Sequence, residues 1–186
     1  MSAHPAAGVV TGSAAHVAAS VAQDLAVRAR GAGVIGVGID AVDVDRFRTV
    51  LARRPRLGRR LFTAAELAYA AAAPDAVPRL ATRFAAKEAV MKVLGVGLWS
   101  FRLTDVEVVR VGLGAPALRL HGGAADLARA AGARRWHLSL THTDTLALAA
   151  VVADGGDPTD PTDLSDPTGL TDPWDAASPS GPGGHR

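Results

Sequence analysis

One helix-forming segment constrains the fold of this chain more than any other stretch. From Arg79 to Leu94 the sequence contains neither glycine nor proline, and alanines are interspersed with charged and large apolar residues. Gly95 follows directly, and glycine is the residue found most often just beyond the C-terminus of a helix. We therefore predict a long helix over residues 79–94, around which the other elements must pack.

Short apolar segments on both sides of this helix have the alternation or the β-branched composition of strands. The predicted strands cover residues 34–39, 105–111, 117–120, 136–141 and 146–152. The last of them is almost continuously apolar, as expected of a buried strand.

Shorter helices are predicted at 43–52, 63–72 and 122–131, and the second begins with the capping-box spacing of Thr63 and Glu66. Because Pro55 and Gly58 interrupt residues 53–60, we expect a loop there. The order of elements predicts an α+β fold in which a small antiparallel or mixed sheet of three to five strands covers the long helix.

The composition changes sharply at Asp154. Residues 154–186 consist mainly of Asp, Pro, Thr, Ser and Gly, and they offer too little apolar surface to offset the entropy cost of ordering. We therefore predict an acidic disordered tail over 154–186 and one folded domain over 34–153. Residues 1–33 are expected to form an N-terminal extension that is partly disordered or contains a short helix.

Charge is distributed as unevenly as composition. The net charge of +2 combines 17 Lys and Arg against 10 Asp and Glu in residues 34–153, seven Asp against one Arg in the tail, and two Arg against one Asp in residues 1–33. Seven arginines lie between Arg46 and Arg60, which is typical of a solvated helix face or of a site for an acidic partner. A phosphorylated ligand, an acidic protein and nucleic acid are all compatible with this pattern.

Several classes of protein are disfavoured by composition. The absence of cysteine excludes disulfides, thiolate metal sites and cysteine nucleophiles. Without a signal-like start or an apolar run of about 18 residues, we expect a cytoplasmic protein with no membrane partner. Few aromatic residues and no recognised basic-helix or zinc module argue against nucleic-acid binding.

The long predicted helix carries four charged residues with two interpretations. Glu88 and Lys92 share one face, and Arg83 and Lys87 share a neighbouring face; such pairs also occur on ordinary surface helices, where each contributes roughly 0.2–0.5 kcal/mol. Alternatively, Glu88 joins Asp40, at the end of the first predicted strand, in holding a dication such as Mg²⁺. The three cations would then neutralise phosphate groups.

Two smaller features could contribute to the same site. The turn from Gly95 to Gly97 would let backbone amides approach a phosphate, although it also serves simply as a helix stop. His142 follows a predicted strand among Ser139 and two threonines, and such a histidine is either part of a polar site or structural. No Gly-x-Ser-x-Gly elbow surrounds Ser139, which excludes a serine hydrolase of that class.

Three motifs together resemble one known family. The chain has GIDAVDVDR at 38–46, RFAAKEAVMKVLGVG at 83–97 and SLTHT at 139–143. In this order and spacing, over residues 34–153, they are similar to those of the holo-[acyl-carrier-protein] synthases, a family of 4′-phosphopantetheinyl transferases. The resemblance implies the fold of that family and a homotrimer with active sites between subunits. It also implies transfer of 4′-phosphopantetheine from coenzyme A to a serine of an apo acyl carrier protein, releasing adenosine 3′,5′-bisphosphate.

The resemblance also implies roles for individual residues. Asp40 and Glu88 would bind Mg²⁺ and, with Lys92, form the catalytic set, in which either Glu88 acting through a metal-bound water or Lys92 is the general base. Coenzyme A would contact Arg83, Lys87, Lys92, Gly95, Gly97 and His142. Arg46 and Arg53 would bind the carrier protein.

Two positions depart from the family pattern, because Val96 stands where threonine is common and Asp43 where glutamate is usual. The rival interpretation is a non-catalytic module that binds carrier protein or nucleotide; the retained Asp40, Glu88 and Lys92 argue against it.

Overall fold

The computed structural model describes residues 33–111 and 114–156. Its strands form two antiparallel sheets: β1 (Val34–Asp43), β5 (Leu146–Asp154) and β4 (Arg135–His142) lie side by side in that order, and β2 (Val106–Val111) pairs with β3 (Ala115–Leu120). The α-helices in this part of the chain are α1 (Val44–Arg53), α2 (Leu57–Leu61), α3 (Ala64–Ala71), α4 (Val77–Leu94) and α5 (Gly122–Ala130), and a 3-10 helix spans Leu103–Asp105. The predicted start of the tail at Asp154 is wrong, because Asp154 is a buried residue at the end of β5. The rest of the predicted N-terminal extension (1–33) and of the predicted tail (154–186), namely residues 1–32 and 157–186, lies outside the described residues and remains a prediction.

Helix α4 is the centre of the fold. It has 18 residues, and buried side chains lie on almost every side of it, among them Ala85, Val90 and the charged Arg83 and Lys87. The interpretation of this segment as an ordinary surface helix is therefore wrong. Gly95, with φ of 65°, ends the helix in the left-handed conformation that glycine adopts without steric cost.

Side-chain caps start two of the shorter helices. Asp43 Oδ1 accepts a hydrogen bond from the backbone N–H of Arg46 at 2.8 Å, at the start of α1. Thr63 and Glu66 form the predicted capping box at α3, with reciprocal hydrogen bonds of 3.2 and 2.9 Å to each other's backbone N–H. Local sequence thus determines where these helices begin.

The expected loop over residues 53–60 is partly wrong, because α2 begins at Leu57. Pro55 precedes the helix and does not interrupt it, and the carbonyl of Gly58 accepts a hydrogen bond from Phe62 N–H at 2.9 Å. Leu57 and Leu61 are one turn apart and pack into the core, so tertiary contacts stabilise a helix too short to form alone.

Strand β5 is buried on one face only. Ala147, Ala149 and Val151 are fully buried on the face that packs against α4. The opposite face, which we term the outer sheet face, is partly exposed; it is apolar on β1 and β5, where it includes Val37, Leu148, Ala150 and Val152, and polar on β4, where His137, Ser139 and Thr141 lie. The expectation of a buried strand holds for half of the side chains, because within one chain the outer sheet face is incompletely covered.

No helix in the described ranges combines the length and the apolar character needed to cross a bilayer.

Candidate active site

Two glycines let β1 lie directly on α4. A Cβ atom at Gly38 would stand 2.0 Å from the carbonyl oxygen of Ala89, and one at Gly36 would stand 2.8 Å from that of Val93. Any larger residue would push the strand away from the helix. Asp40 lies two residues after Gly38, on the same face of the strand, and is thereby held near Glu88 of α4.

Lys92 connects the strand to the helix. Its Nζ donates to Asp40 Oδ1 at 2.9 Å and to the backbone carbonyl of Ile39 at 2.6 Å. The side chain of Lys92 is 52% exposed and that of Asp40 is 18% exposed, so the ion pair borders solvent. An exposed pair of this kind contributes at most about 1 kcal/mol to stability. Its main consequence is a cation at the mouth of an acidic site.

Both carboxyl groups have raised pKa values. Loss of hydration raises the pKa of Asp40 and outweighs the hydrogen bond and charge of Lys92. Loss of hydration also raises the pKa of Glu88, and the negative charge of Asp40 adds to the effect. Two partly desolvated carboxylates that repel each other form a site that a bound cation would stabilise.

The chemistry of this donor set fits magnesium. Within residues 33–111 and 114–156 there is no group of three or more His, Cys, Asp or Glu side chains able to hold a metal ion. Asp40 and Glu88 offer only two carboxylates. Two are enough for Mg²⁺, because that ion usually keeps several waters and takes further oxygens from a substrate phosphate.

The structure places Lys87 away from this site, in the protein interior. Its side chain is 0% exposed, and its Nζ donates to Glu66 Oε2 at 2.8 Å, to the carbonyl of Leu103 at 3.0 Å and to the carbonyl of Val106. An ammonium group has three protons, so every donor is used. This corrects the expected contact of Lys87 with coenzyme A and its expected position on a surface face shared with Arg83.

The role of Glu66 exceeds the capping box that its spacing predicts. Besides capping α3, its carboxylate accepts from Lys87 and, through Oε1, from the backbone N–H of Val108 at 3.0 Å. Glu66 and Lys87 are 21 residues apart, and no local pattern links them. The pair fastens the hairpin of β2 and β3 to α3 and α4, and with it the elements that surround the site.

Arg83 lies beside Tyr69 and not beside Asp40. Three guanidinium groups surround the ring of Tyr69, with Cζ atoms 4.1 Å (Arg83), 4.7 Å (Arg79) and 5.4 Å (Arg110) from its centroid. Burial lowers the pKa of Arg83, and its Nε has no hydrogen-bond partner among the described atoms. A buried, unpaired donor within a group of cations is suited to an anionic ligand.

Comparison with known proteins identifies the family. Residues 36–151 match the model of the 4′-phosphopantetheinyl transferase superfamily. The holo-[acyl-carrier-protein] synthase of Frankia casuarinae is 52% identical over 124 residues, which cover 65% of this chain and 98% of that protein. This chain belongs to the holo-[acyl-carrier-protein] synthases. It is therefore an enzyme of the phosphopantetheinyl transferase class.

Solved structures of holo-[acyl-carrier-protein] synthases share the fold described above. The enzyme from Neisseria meningitidis is 28% identical with a TM-score of 0.60, covering 65% of this chain and 98% of that one. The enzyme from Bacillus anthracis, in complex with CoA (3′,5′-ADP), is 28% identical with a TM-score of 0.55, covering 66% of this chain and 98% of that one. The family match covers residues 36–151, so the tail of this chain lies outside the matched α+β core.

His142, the histidine of this holo-[acyl-carrier-protein] synthase that is expected to contact coenzyme A, lies apart from the acidic pair within one chain. His142 ends β4 and pairs with Ala147 of β5, whereas Asp40 of β1 pairs with Ala149. Strand β5 thus separates the two side chains, and His142 is exposed at the end of the sheet.

Both departures from the usual synthase motifs have a structural role. Val96 packs against the hydrophobic core, and its backbone N–H donates to the carbonyl of Met91 at 3.1 Å. Asp43 caps α1 with its short side chain. Around Gly97 no atom lies within 4 Å of the position of a Cβ, so the backbone of the turn is open to a ligand.

Arg46 and Arg53, the residues expected to meet the carrier protein, both lie on α1 and are exposed.

Proposed function

We propose that this enzyme transfers 4′-phosphopantetheine from coenzyme A to a serine of an apo acyl carrier protein in a Mg²⁺-dependent reaction. The observation that carries the proposal is the convergence of Asp40, Glu88 and Lys92 where β1 crosses α4. Family membership supports it, as does the complex of the Bacillus anthracis relative with CoA (3′,5′-ADP).

In the proposed reaction the serine oxygen forms a bond to the β-phosphorus of coenzyme A, and the bond from that phosphorus to the oxygen of the leaving adenosine 3′,5′-bisphosphate breaks. Asp40 and Glu88 would hold Mg²⁺, which when bound offsets the negative charge of the diphosphate. Lys92 supplies a positive charge beside them.

The serine proton must leave as the new bond forms. Glu88 is the preferred base, acting through a water, because a carboxylate can accept a proton without first losing one. Lys92 already donates hydrogen bonds to Asp40 and to Ile39, so its Nζ is less available to accept the serine proton.

The nucleotide half of coenzyme A would lie along the side of the molecule that carries the arginines around Tyr69. The unpaired Nε of Arg83 supports contact with a phosphate group. The open backbone at Gly95 and Gly97 supports a second contact near the diphosphate. His142 would contribute from a neighbouring subunit, since β5 separates it from Asp40 within one chain.

The carrier protein would bind at α1 through Arg46 and Arg53, where exposed cations favour an acidic partner. A homotrimer with active sites between subunits accounts for the outer sheet face, because a second copy would cover apolar side chains that one chain leaves partly exposed.

The test is to incubate the protein with coenzyme A, Mg²⁺ and an apo acyl carrier protein, and then to measure the mass of the carrier. We expect a gain of one phosphopantetheine group, lost on chelation of the metal. Asp40→Asn and Glu88→Gln should each lower the rate at least about 100-fold. Asp126→Asn is the matched control, because Asp126 is exposed on α5 and should be replaceable without effect.

Binding of the carrier with no gain in mass would indicate a non-catalytic module and would contradict the proposal. Near-normal rates for both Asp40→Asn and Glu88→Gln would remove the metal assignment.

A further inference from the structure

Six arginines form an unpaired basic surface on α1, on α2 and in the segment between them. We term it the arginine surface, and it comprises Arg46, Arg53, Arg54, Arg56, Arg59 and Arg60. All six side chains are exposed, and none forms an ion pair with a carboxylate in the described part of the chain. By contrast, the neighbouring Arg48 is paired with Asp75 at 2.7 Å. A concentration of unpaired cations on one side of a protein attracts a polyanion.

This surface also offers apolar contacts. Pro55 and Leu57 line an open groove together with Arg54, Arg56 and Arg60. At its edge, the guanidinium of Arg60 lies 5.8 Å from the ring centroid of Trp99, a side chain that is 65% exposed. The surface therefore suits an occupant that is acidic and also carries large apolar side chains.

The chain itself contains a segment with this chemistry. Between residues 157 and 186 there are six aspartates, at 157, 160, 163, 166, 172 and 175, against a single arginine at the terminus. Leu164, Leu170 and Trp174 are interspersed with them. Prolines follow four of the aspartates, a composition that favours extended chain with three residues per turn. Aspartates spaced by three residues would then lie on one side, about 9 Å apart.

We propose that the tail of residues 157–186 binds the arginine surface and competes there with the acidic carrier protein. The binding follows from charge and is independent of catalysis, whereas the competition rests on the function proposed above. Each contact between exposed charges is weak, so the tail would be readily displaced and strongly dependent on salt.

The length of the tail permits this contact. β5 ends beside the start of β1, since Asp154 pairs with Val34, whereas α1 begins after the other end of β1. β1 has ten residues, so this separation along the strand is about 33 Å. The 30 residues after Gly156 span about 90 Å when extended, enough to cross that distance and then follow the arginine surface.

The absence of cysteine allows a direct test on the 186-residue chain. A nitroxide label is attached at Ser165→Cys and, in a second protein, at Ser178→Cys, and the broadening of backbone amide signals is measured by NMR. At low salt we expect the strongest broadening in residues 44–61. The matched control carries the same label with all six tail aspartates replaced by Asn, and broadening should disappear in it.

High salt gives a second control. The screening length falls from about 10 Å at 0.1 M to about 3 Å at 1 M, so the broadening should decrease at the higher concentration. No broadening at low salt, or equal broadening in the six-Asn protein, would overturn the binding.

The consequence for catalysis is measured separately, with unlabelled protein at low salt. Replacing the six aspartates by Asn should lower KM for the carrier at least about fivefold and leave kcat unchanged. An unchanged KM together with observed broadening would overturn the competition alone. Failure to modify any carrier would count against the proposed function, and the NMR result would still decide the binding.

Discussion

At the scale of single residues, neighbours in sequence occupy opposite environments. Lys87 is fully buried against Glu66, whereas Glu88, the next residue, faces the acidic site with Asp40. A buried ammonium without partners would cost several kcal/mol, so Lys87 requires both the carboxylate and the two carbonyls that surround it. Lys87 thus stabilises the fold, whereas Glu88 is available for chemistry.

Removing Lys87 should destabilise the protein strongly. Lys87→Ala leaves the buried carboxylate of Glu66 without its counter-charge, and we expect a loss of about 3–5 kcal/mol in the free energy of unfolding. In the double variant Lys87→Met with Glu66→Gln no buried charge remains, and most of the loss should be recovered. Urea denaturation measures both. A loss below about 1 kcal/mol in the single variant would contradict the buried ion pair.

Glu88 should reduce stability at neutral pH. Its pKa is higher in the folded than in the unfolded state, so the folded protein binds the proton more tightly, and the free energy of unfolding falls as pH rises through that interval. Glu88→Gln should therefore stabilise the protein at pH 7 in the presence of a chelator. The gain should vanish below about pH 4, where the carboxyl group is protonated in both states.

Glu107→Gln is the control of opposite sign. Burial alone would raise the pKa of Glu107, but hydrogen bonds from His121 and Thr63 outweigh it and lower the pKa. The ionised group therefore contributes stability above its unfolded pKa, and that stability is lost as pH falls through its folded pKa. This substitution should lower stability at pH 7. Urea denaturation at pH 7 and pH 4 measures the free energy of unfolding of both variants. If, on going from pH 4 to pH 7, the two substitutions changed that free energy in the same direction, the assigned electrostatics would be refuted.

At the scale of elements, the contact between β1 and α4 positions the acidic pair. The strand can contact the helix only because Gly36 and Gly38 have no side chains. This contact determines where Asp40 lies. The hairpin of β2 and β3 is fastened separately, through Glu66 and Lys87. Geometry of the site thus depends on backbone packing more than on the acidic residues themselves.

Gly38→Ala should impair both folding and turnover. The new Cβ would meet the carbonyl oxygen of Ala89 at 2.0 Å, and separating the two elements should cost about 1–3 kcal/mol or more. A displacement of Asp40 by about 1 Å should lower the rate about 100-fold. Gly58→Ala in α2 is the stability control, because its nearest atom would be at 3.8 Å and alanine favours helix. Thermal unfolding and carrier modification measure the two effects, and equal stability of the two variants would disprove the close packing.

At the scale of the whole molecule, one chain covers only half of its sheet. The side of β5 that faces α4 is fully buried, and the outer sheet face is not. A second copy of the chain could cover these apolar side chains, since exposed apolar patches commonly mark protein–protein contacts. His142 and Asp40 also lie on different strands, which is compatible with a site completed between subunits.

The oligomeric state can be tested by analytical ultracentrifugation. Three copies of the 19.0-kDa chain should sediment as a species of about 57 kDa. Val152→Arg places a charge on the outer sheet face and should yield monomers, because an unpaired buried charge opposes association. Ala68→Arg, on the exposed side of α3, should leave the mass unchanged. A wild-type protein of 19.0 kDa under assay conditions would rule out the trimer.

Local sequence alone located most elements, although not their exact bounds, because caps and breakers act within a few residues. The capping box at Thr63, the stop at Gly95 and the alternation of β4 were all readable in this way. The three motifs likewise predicted the family that the comparisons show. These signals require no knowledge of which segments meet.

Tertiary structure decided whatever depends on segments distant in sequence. The order of strands, the helix at Leu57, the burial of Lys87 and the closeness of Asp40 to Glu88 all depend on contacts between such segments. Periodicity gives the face of a helix on which a residue lies, but not what packs against that face. Burial, and with it the cost of leaving a charge unpaired, is a property of the assembled core and not of the residue.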